Sequence, residues 1–167
     1  MQAKVLMYKQ DDPAKCTAAK LVRFGLAESI RFVGADTILL DPFSKIVLTS
    51  GDRVNCKSIC AIDCSWEKAQ VLLAKSKFKQ HSRRRLPALL AGNPVNYSKI
   101  SKLTSVEALA ASFFILGWRS MSENLLAKFK WGHTFLELNL EILDDYSKAP
   151  SDNDVRELER KYFPQVY

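Results

Sequence analysis

LPALLAGNPVNY, residues 86–97, is the stretch that decides the fold. Its apolar run, residues 87–91, predicts a last buried strand, which Gly-Asn-Pro ends. After a polar loop, a helix is predicted to begin at a Thr/Ser cap, residues 104–105, because Glu107 is placed to complete a capping box. In an α/β sheet, ligand crevices form where the carboxyl end of a strand faces a helix start, whose N–H groups suit a carboxylate. We therefore predict a small-molecule site here.

Strands and helices alternate before this stretch, and only helices follow it. Short apolar runs indicate strands at 4–8, 37–40 and 59–63, with a further run at 31–33, and helices are predicted near 16–28, 51–57 and 67–75. The alternation predicts a mostly parallel sheet with helices on both faces. Four helices are predicted later, at 104–117, 120–129, 134–146 and 151–162. We divide the chain into an α/β domain, residues 1–92, that binds ligand and nucleic acid, and an all-helical domain, residues 93–167, that completes the ligand site.

The composition is that of a globular protein, with 47% hydrophobic and 26% charged residues among 167. No apolar run has the length of a membrane span, and residues 1–8 resemble a first strand rather than a signal peptide. A cytoplasmic location is predicted. The four cysteines, Cys16, Cys56, Cys60 and Cys64, lack the paired spacing of a zinc site and are predicted to be reduced structural thiols, with no metal.

Positive charge is the strongest compositional signal, with a formal net charge of +7 and a pI near 9.3. A solvated face is one explanation of each basic run. Several such runs beside the predicted ligand loops instead favour a phosphate-binding surface and a nucleic-acid partner. The candidate RNA-binding residues are Lys15, Lys20, Arg23, Arg83 and Arg84.

Five separated motifs occur together in this sequence: DDPAKCT at 11–17, LLDPF at 39–43, DCSW at 63–66, NPVNY at 93–97 and KFKWGHTF at 128–135. With them the chain closely resembles the small-subunit (16S/18S) ribosomal RNA aminocarboxypropyltransferase family. The Gly-Arg-Pro that commonly follows Asn-Tyr in that family is Ser98-Lys99-Ile100 here.

The resemblance implies an enzyme of ribosome biogenesis with S-adenosylmethionine as co-substrate. Such enzymes transfer the 3-amino-3-carboxypropyl group to nitrogen 3 of a pseudouridine, which can carry an N1-methyl group, in small-subunit rRNA and release 5′-methylthioadenosine. The resemblance also implies a SPOUT-like fold: an α/β domain with a mostly parallel sheet, an all-α C-terminal domain and a deep trefoil knot. Ordinary chain connections make knots nearly absent, so the knot is expected on resemblance alone.

Asp63 and Trp66 follow the buried strand 59–63, where α/β sheets place ligand contacts. An indole attracts a sulfonium cation through its face, although core packing is the alternative for Trp66. The resemblance assigns Trp66 and Ala69 to the pocket for the methyl end of S-adenosylmethionine, and the carbonyl of Ile62 to the ribose. Asp63 is predicted to contact the co-substrate and is our catalytic candidate, as a base for the ring N–H of the target; helix capping is its other possible role.

The adenine is expected between two sets of residues. Leu40 and Pro42 can flank one face, and Leu86, Leu103 and Ala108 can close the other, with backbone contacts from the loop that contains Ser101. Thr17 and Ser105, each near a helix start, are candidates for binding the amino acid end, although capping is as good an explanation of each hydroxyl alone.

The sequence contains no GxGxxG after the first strand, no P-loop, no HExxH and no GxSxG. The leading hypothesis remains the S-adenosylmethionine-dependent transferase that the resemblance implies, and we expect it to act without a metal and as a monomer. The alternatives are a SPOUT-type rRNA methyltransferase and a non-catalytic rRNA-binding assembly factor.

Overall fold

The computed structural model describes residues 1–8, 16–64, 66–74 and 82–166. Within these ranges, five strands form one parallel sheet in the order β2-β1-β4-β3-β5. Their bounds are β1 (Gln2–Met7), β2 (Glu28–Ser29), β3 (Thr37–Leu40), β4 (Ser58–Asp63) and β5 (Ser82–Arg84). The helices are α1 (Thr17–Arg23), α2 (Trp66–Leu73), α3 (Ser105–Ile115), α4 (Arg119–Leu126), α5 (Gly132–Ser147) and α6 (Asp152–Tyr162), and a 3-10 helix spans Ser50–Asn55.

Alternation along β4 separates the two faces of the sheet. Ile59 and Ala61 belong to the large core under α1 and α3, whereas Cys60 and Ile62 belong to a small cluster on the other face, with Leu73 of α2. The sheet is therefore covered on both faces, as the alternation of strands and helices predicts. Asp63, two residues beyond Ala61, ends β4 on the α1 side.

The predicted fold class is wrong in its division of the chain. The sheet is α/β and parallel, but the helical half is not a separate all-α domain, because α3 packs directly on β4 and on α1. Buried residues from both halves, from Ala3 to Phe163, share the large apolar core. The SPOUT-like knotted architecture is not supported either. The described strands form one open sheet with edges at β2 and β5. The knot was expected only from the family resemblance, and no sequence pattern predicted it.

The last strand lies earlier than predicted. β5 pairs with β3 from Ser82 to Arg84, and the chain leaves the sheet after an isolated bridge between Arg85 and Val47. Pro87 has no N–H for a ladder, which explains why residues 87–91 do not continue the strand.

The first helix is also shorter than predicted, because Gly25 stops it. Gly25 has φ +69°, its N–H donates to Val22 O at 3.0 Å, and Leu26 N–H donates to Leu21 O at 2.9 Å. These bonds form a Schellman motif, which ends a helix at a glycine. None of the helices in the described ranges is both long and apolar enough to span a membrane.

Candidate active site

A thiol and a carboxylate meet at the carboxyl edge of the sheet. Cys16 is the N-cap of α1: its Sγ accepts from Ala19 N–H at 3.2 Å and donates to Asp63 Oδ2 at 3.0 Å. The sequence predicted Asp63 at this edge and treated Cys16 only as a structural thiol. Because the two residues are 47 apart in the chain, local patterns could not pair them.

The Cys16 thiol stays protonated near neutral pH. Burial, and then the hydrogen bond to the Asp63 carboxylate, raise its pKa from 9.0 to about 11. The protonated thiol is therefore a steady donor that fixes the orientation of the Asp63 side chain.

The predicted start of α3 is confirmed. Thr104 is the N-cap, and its side chain and Glu107 form a capping box. Glu107 is completely buried and accepts five hydrogen bonds: Oε1 from Gly92 N (2.7 Å) and Asn93 N (3.0 Å), and Oε2 from Asn93 Nδ2 (2.8 Å), Thr104 N (2.7 Å) and Thr104 Oγ1 (2.8 Å). One carboxylate thus holds both ends of the 92–104 loop.

The Glu107 carboxylate also changes the expected chemistry of this helix start. It already supplies negative charge at the N-terminus of α3, where the helix dipole favours an anion. The terminus is consequently less suited to a ligand carboxylate than the bare helix start that the sequence indicated, and better suited to a neutral or cationic group.

Side chains of the C-terminal helices hold the backbone of residues 88–90. Ala88 N–H donates to Glu159 Oε1 at 2.9 Å, and Tyr146 Oη donates to Ala88 O at 3.1 Å. Asn139 bonds both backbone groups of Leu90, each at 2.8 Å. These buried polar residues replace the missing sheet ladder, so the segment is rigid without being a strand.

Glu159 is a buried structural residue that no sequence pattern predicted. Although it is completely buried, it pairs with both terminal nitrogens of Arg85, at 2.7 and 2.8 Å. Its separation of 74 residues from Arg85 leaves no local signal, and on α6 it resembles any other surface glutamate in sequence.

The expected adenine residues differ in exposure. Leu40 is buried in the main core and Pro42 is exposed just beyond β3. Leu86, Leu103 and Ala108 are half-buried and pack at the border of the same core. Residues of this last group can offer an apolar face to a flat ligand while remaining anchored.

Two serines of the loop have left-handed backbone: Ser98 with φ 60° and Ser101 with φ 58°. Ser98 N–H donates to Ala91 O at 2.7 Å, and Ser101 N–H donates to Leu89 O at 2.8 Å. Position 98 is where the related family commonly has glycine, the residue that adopts this conformation without strain. The backbone of the loop is thus held in place at both serines.

The remaining candidates lie at helix starts. Thr17 and Ser105 are the first residues of α1 and α3, while the N-caps are Cys16 and Thr104, so capping is not the role of either hydroxyl. Trp66 and Ala69 belong to the first turns of α2, directly after β4, and the structure describes their backbone only.

The basic candidates have different surroundings. Arg83 donates from Nε to the buried Asp41 at 2.7 Å, and Arg84 binds both oxygens of Asp52. Lys20 is half-buried and Arg23 exposed in the last turn of α1. Lys15 lies outside the described residues, together with residues 11–14 of the first motif.

The fold and the site define an α/β protein with a parallel sheet and a candidate ligand site at the carboxyl edge of that sheet. Residues 38–163 match the family described as "Ribosome biogenesis protein, C-terminal". Residues 1–32 match a family described as "Possible Fer4-like domain in RNase L inhibitor, RLI". That stretch contains one cysteine, Cys16, whereas a [4Fe–4S] cluster requires four ligands, so these residues do not fit a cluster site.

Individual relatives indicate a more specific family within this class. A "16S rRNA aminocarboxypropyltransferase" of Methanococcoides burtonii is 42% identical over 92% of this chain and 90% of its own. Another of Thermoplasma volcanium is 42% identical, with coverage of 95% and 96%. A solved structure, "Structure of the SAM-dependent rRNA:acp-transferase Tsr3 from Vulcanisaeta distributa", has TM-score 0.83 and 36% identity, and 96% of each chain is covered. The chain belongs to the 16S rRNA aminocarboxypropyltransferase family.

Proposed function

We propose that this protein is an S-adenosylmethionine-dependent aminocarboxypropyltransferase that modifies 16S rRNA. The observation that carries this conclusion is the match, over nearly the whole chain, to relatives and a solved structure of that activity. The more specific proposal, which follows the sequence resemblance, is transfer to nitrogen 3 of a pseudouridine that can carry an N1-methyl group.

The proposed reaction is a nucleophilic substitution. Nitrogen 3 attacks the γ-carbon of the methionine portion, the carbon–sulfur bond breaks, and its electron pair leaves with 5′-methylthioadenosine. The ring N–H proton goes to a base or to water. The sulfonium supplies an activated leaving group, so the protein contributes chiefly by aligning the γ-carbon with the nucleophile.

Several features of the described residues suit S-adenosylmethionine. Leu86, Leu103 and Ala108 give a half-buried apolar border for a purine, with Leu40 and Pro42 proposed opposite. The fixed backbone around Ser101 can donate and accept at the edge of the purine. The hydroxyls of Thr17 and Ser105 are proposed partners of the amino acid end, and the carbonyl of Ile62 is a proposed partner of the ribose.

For Asp63, the observations best support the role of a hydrogen-bond acceptor whose orientation is fixed. The hydrogen bond from Cys16 holds its carboxylate on the α1 side of the sheet, close to the start of that helix. There it can receive the ammonium of the amino acid end or the ring proton of the target base. We propose that Trp66 and Ala69 enclose the methyl end, so that only the γ-carbon remains open to the RNA.

The remaining parts of the proposal concern context. We propose that rRNA phosphates are bound by Lys15, Lys20, Arg23, Arg83 and Arg84. Residues 1–92 carry the RNA contacts, and residues 93–167 complete the co-substrate site. The protein works in the cytoplasm, as a monomer and without a metal. The net charge of +7 supports an RNA partner, because phosphate binding depends on accumulated positive charge.

Doubly labelled S-adenosylmethionine tests the reaction. The protein is incubated with 16S rRNA that carries the pseudouridine, with or without its N1-methyl group, but no aminocarboxypropyl group. The co-substrate carries one label on the carboxyl carbon and another on the methyl carbon. We expect the carboxyl label in RNA nucleosides and the methyl label in methylthioadenosine. Methyl label in RNA with S-adenosylhomocysteine as co-product identifies a methyltransferase, and RNA binding with neither label incorporated identifies an assembly factor.

A matched pair of variants tests the site. Trp66→Ala should weaken S-adenosylmethionine binding without lowering the melting temperature. The control is Trp118→Ala, at an indole that follows the C-terminal end of α3 and contacts Arg53; it should leave S-adenosylmethionine binding unchanged. If Trp66→Ala instead binds S-adenosylmethionine normally and has a lower melting temperature than wild type, Trp66 is a core residue and not part of the site.

A further inference from the structure

A shallow depression lies where β3 and β5 end. Its volume is about 510 Å³, within the range of small-ligand sites. It is lined by Asp41, Phe43, Ser44, Lys45, Ile46, Ser82, Arg83 and Arg84. The depression thus opens at the carboxyl edge of the sheet, next to the proposed adenine residues Leu40 and Pro42.

The turn that forms one wall, residues 41–46, is held firmly by hydrogen bonds. Asp41 Oδ1 accepts from Phe43 N–H at 2.9 Å, and Asp41 O accepts from Ser44 N–H at 3.1 Å. Ser44 Oγ donates to Arg83 O at 3.2 Å, and Arg156 of α6 donates to Lys45 O at 2.7 Å. A wall fixed in this way loses little conformational entropy when it binds a ligand.

The wall presents apolar surface to solvent. Phe43 is 45% exposed and Ile46 is 53% exposed, although both belong to this hydrogen-bonded turn. An exposed aromatic ring on a fixed turn is a platform for a flat ligand. Nucleobases of single-stranded RNA are commonly bound by stacking on such rings.

The charged groups around the platform favour an anion. Lys45 is exposed, and Arg83 keeps a quarter of its side chain accessible while it pairs with the buried Asp41. Arg84 is paired with Asp52. A guanidinium has five donors, so an arginine paired to one carboxylate can still bind a phosphate, and Asp41 and Asp52 are each already neutralised by an arginine.

We propose that this depression binds one unpaired nucleotide of the rRNA substrate, beside the nucleotide that is modified. Its base stacks on Phe43 and its phosphate contacts Lys45 and Arg83. The inference rests on the proposed function, because it takes rRNA as the substrate, and it adds a specific subsite to the general basic surface.

Two phenylalanines make a matched test. Phe32, 87% exposed, follows β2 at the opposite edge of the sheet and serves as the control. The affinity of each variant for a 16S rRNA fragment around the modified nucleotide is measured in the absence of S-adenosylmethionine. Phe43→Ala should weaken binding about 5- to 150-fold, because stacking contributes about 1–3 kcal/mol per base and 1.4 kcal/mol is a factor of ten. Phe43→Trp should bind like wild type, and so should Phe32→Ala.

Abasic RNAs identify the partner of the ring. In fragments with one base removed on either side of the modified nucleotide, the loss caused by Phe43→Ala should disappear at a single position. Unchanged binding by Phe43→Ala, an equal loss with Phe32→Ala, or an equal loss with every abasic fragment overturns the proposal. If wild type binds RNA with this pattern but transfers no label, the subsite stands and the proposed reaction fails. If wild type transfers label and Phe43→Ala binds normally, only the subsite fails.

Discussion

The sulfur atom of Cys16 makes two hydrogen bonds that have different roles. Its sulfur caps α1 by accepting from Ala19 N–H and orients Asp63 by donating to its carboxylate. Because the pKa of the thiol is raised to about 11, the donated proton stays on sulfur throughout the physiological range. We infer that Cys16 is a positioning residue for the proposed catalytic Asp63.

Cys16→Ala should separate this role from simple stability. Loss of the cap should lower the free energy of unfolding by about 1 kcal/mol, and loss of the Asp63 contact should weaken S-adenosylmethionine binding by roughly tenfold. Calorimetric titration and thermal melting measure the two effects. Cys16→Ser keeps both an acceptor and a donor, so it should restore binding. If the serine variant binds as poorly as the alanine variant, the hydrogen bond to Asp63 has no positioning role.

The 92–104 loop shows how an element is stabilised by one buried charge. Glu107 joins Gly92 and Asn93 to Thr104, and the left-handed residues Ser98 and Ser101 shape the loop between them. All five hydrogen bonds are accepted by the same carboxylate. A neutral side chain of the same size cannot accept all of them, because one end of an amide is a donor.

Glu107→Gln should therefore loosen the loop. At least two donors lose their acceptor, which should cost about 2–3 kcal/mol of stability and weaken S-adenosylmethionine binding. Hydrogen exchange should become faster at residues 92–104 while β1 and β4 stay protected. Glu123→Gln, at an exposed glutamate of α4, is the control and should change neither quantity. Faster exchange throughout the sheet would mean that Glu107 supports the whole core rather than the loop.

Charge acts at the scale of the whole molecule. The excess of seven positive charges is spread over many residues, and some of them, such as Arg84 and Arg85, are held in ion pairs with Asp52 and Glu159. Lys20 and Arg23 on α1 are better placed to meet RNA, and the Arg23 guanidinium lies over the exposed Phe24 ring, 5.4 Å from its centre.

Lys20→Glu and Arg23→Glu should each weaken RNA binding and reduce its salt dependence. Each phosphate contact that is lost should reduce the magnitude of the slope of log affinity against log salt concentration by about 0.7–0.9. Binding is measured across a salt series, with S-adenosylmethionine affinity as a check on the fold. Arg160→Glu, which makes the same charge change at an exposed position of α6, is the control. Equal slopes for all three variants would show that only net charge matters.

Buried thiols should make the molecule sensitive to alkali. Burial is the largest cause that raises the pKa of Cys16 to about 11 and of Cys60 to about 12, and it also raises the pKa of Cys56 above 9.0. Above pH 9 the unfolded chain releases these protons while the folded chain keeps them, so stability falls as pH rises. The melting temperature should drop steadily from pH 9 to 11. Cys60→Ala should show a shallower decline, and an unchanged decline would assign the effect to other groups.

Much of the fold was present in local patterns. The capping box at Thr104 and Glu107 and the apolar run that ends at Asp63 are short-range signals, and the structure has α3 and β4 where they predict them. Residues 87–91 show the limit of such patterns. An apolar run indicates burial, but it does not say whether a sheet ladder or side chains of distant helices bind its backbone.

The sequence by itself determined most of the strands and helices, the basic charge and the motifs that identify the family, because each of these depends on neighbouring residues or on their sum. Only the tertiary structure decided that Cys16 holds Asp63 and that Glu159 binds Arg85 and Ala88. It also decided that the helical half shares one core with the sheet, where the expected SPOUT-like knotted arrangement has two domains. Such contacts join residues 47 or more positions apart, and they exist only once the chain has folded around a common core.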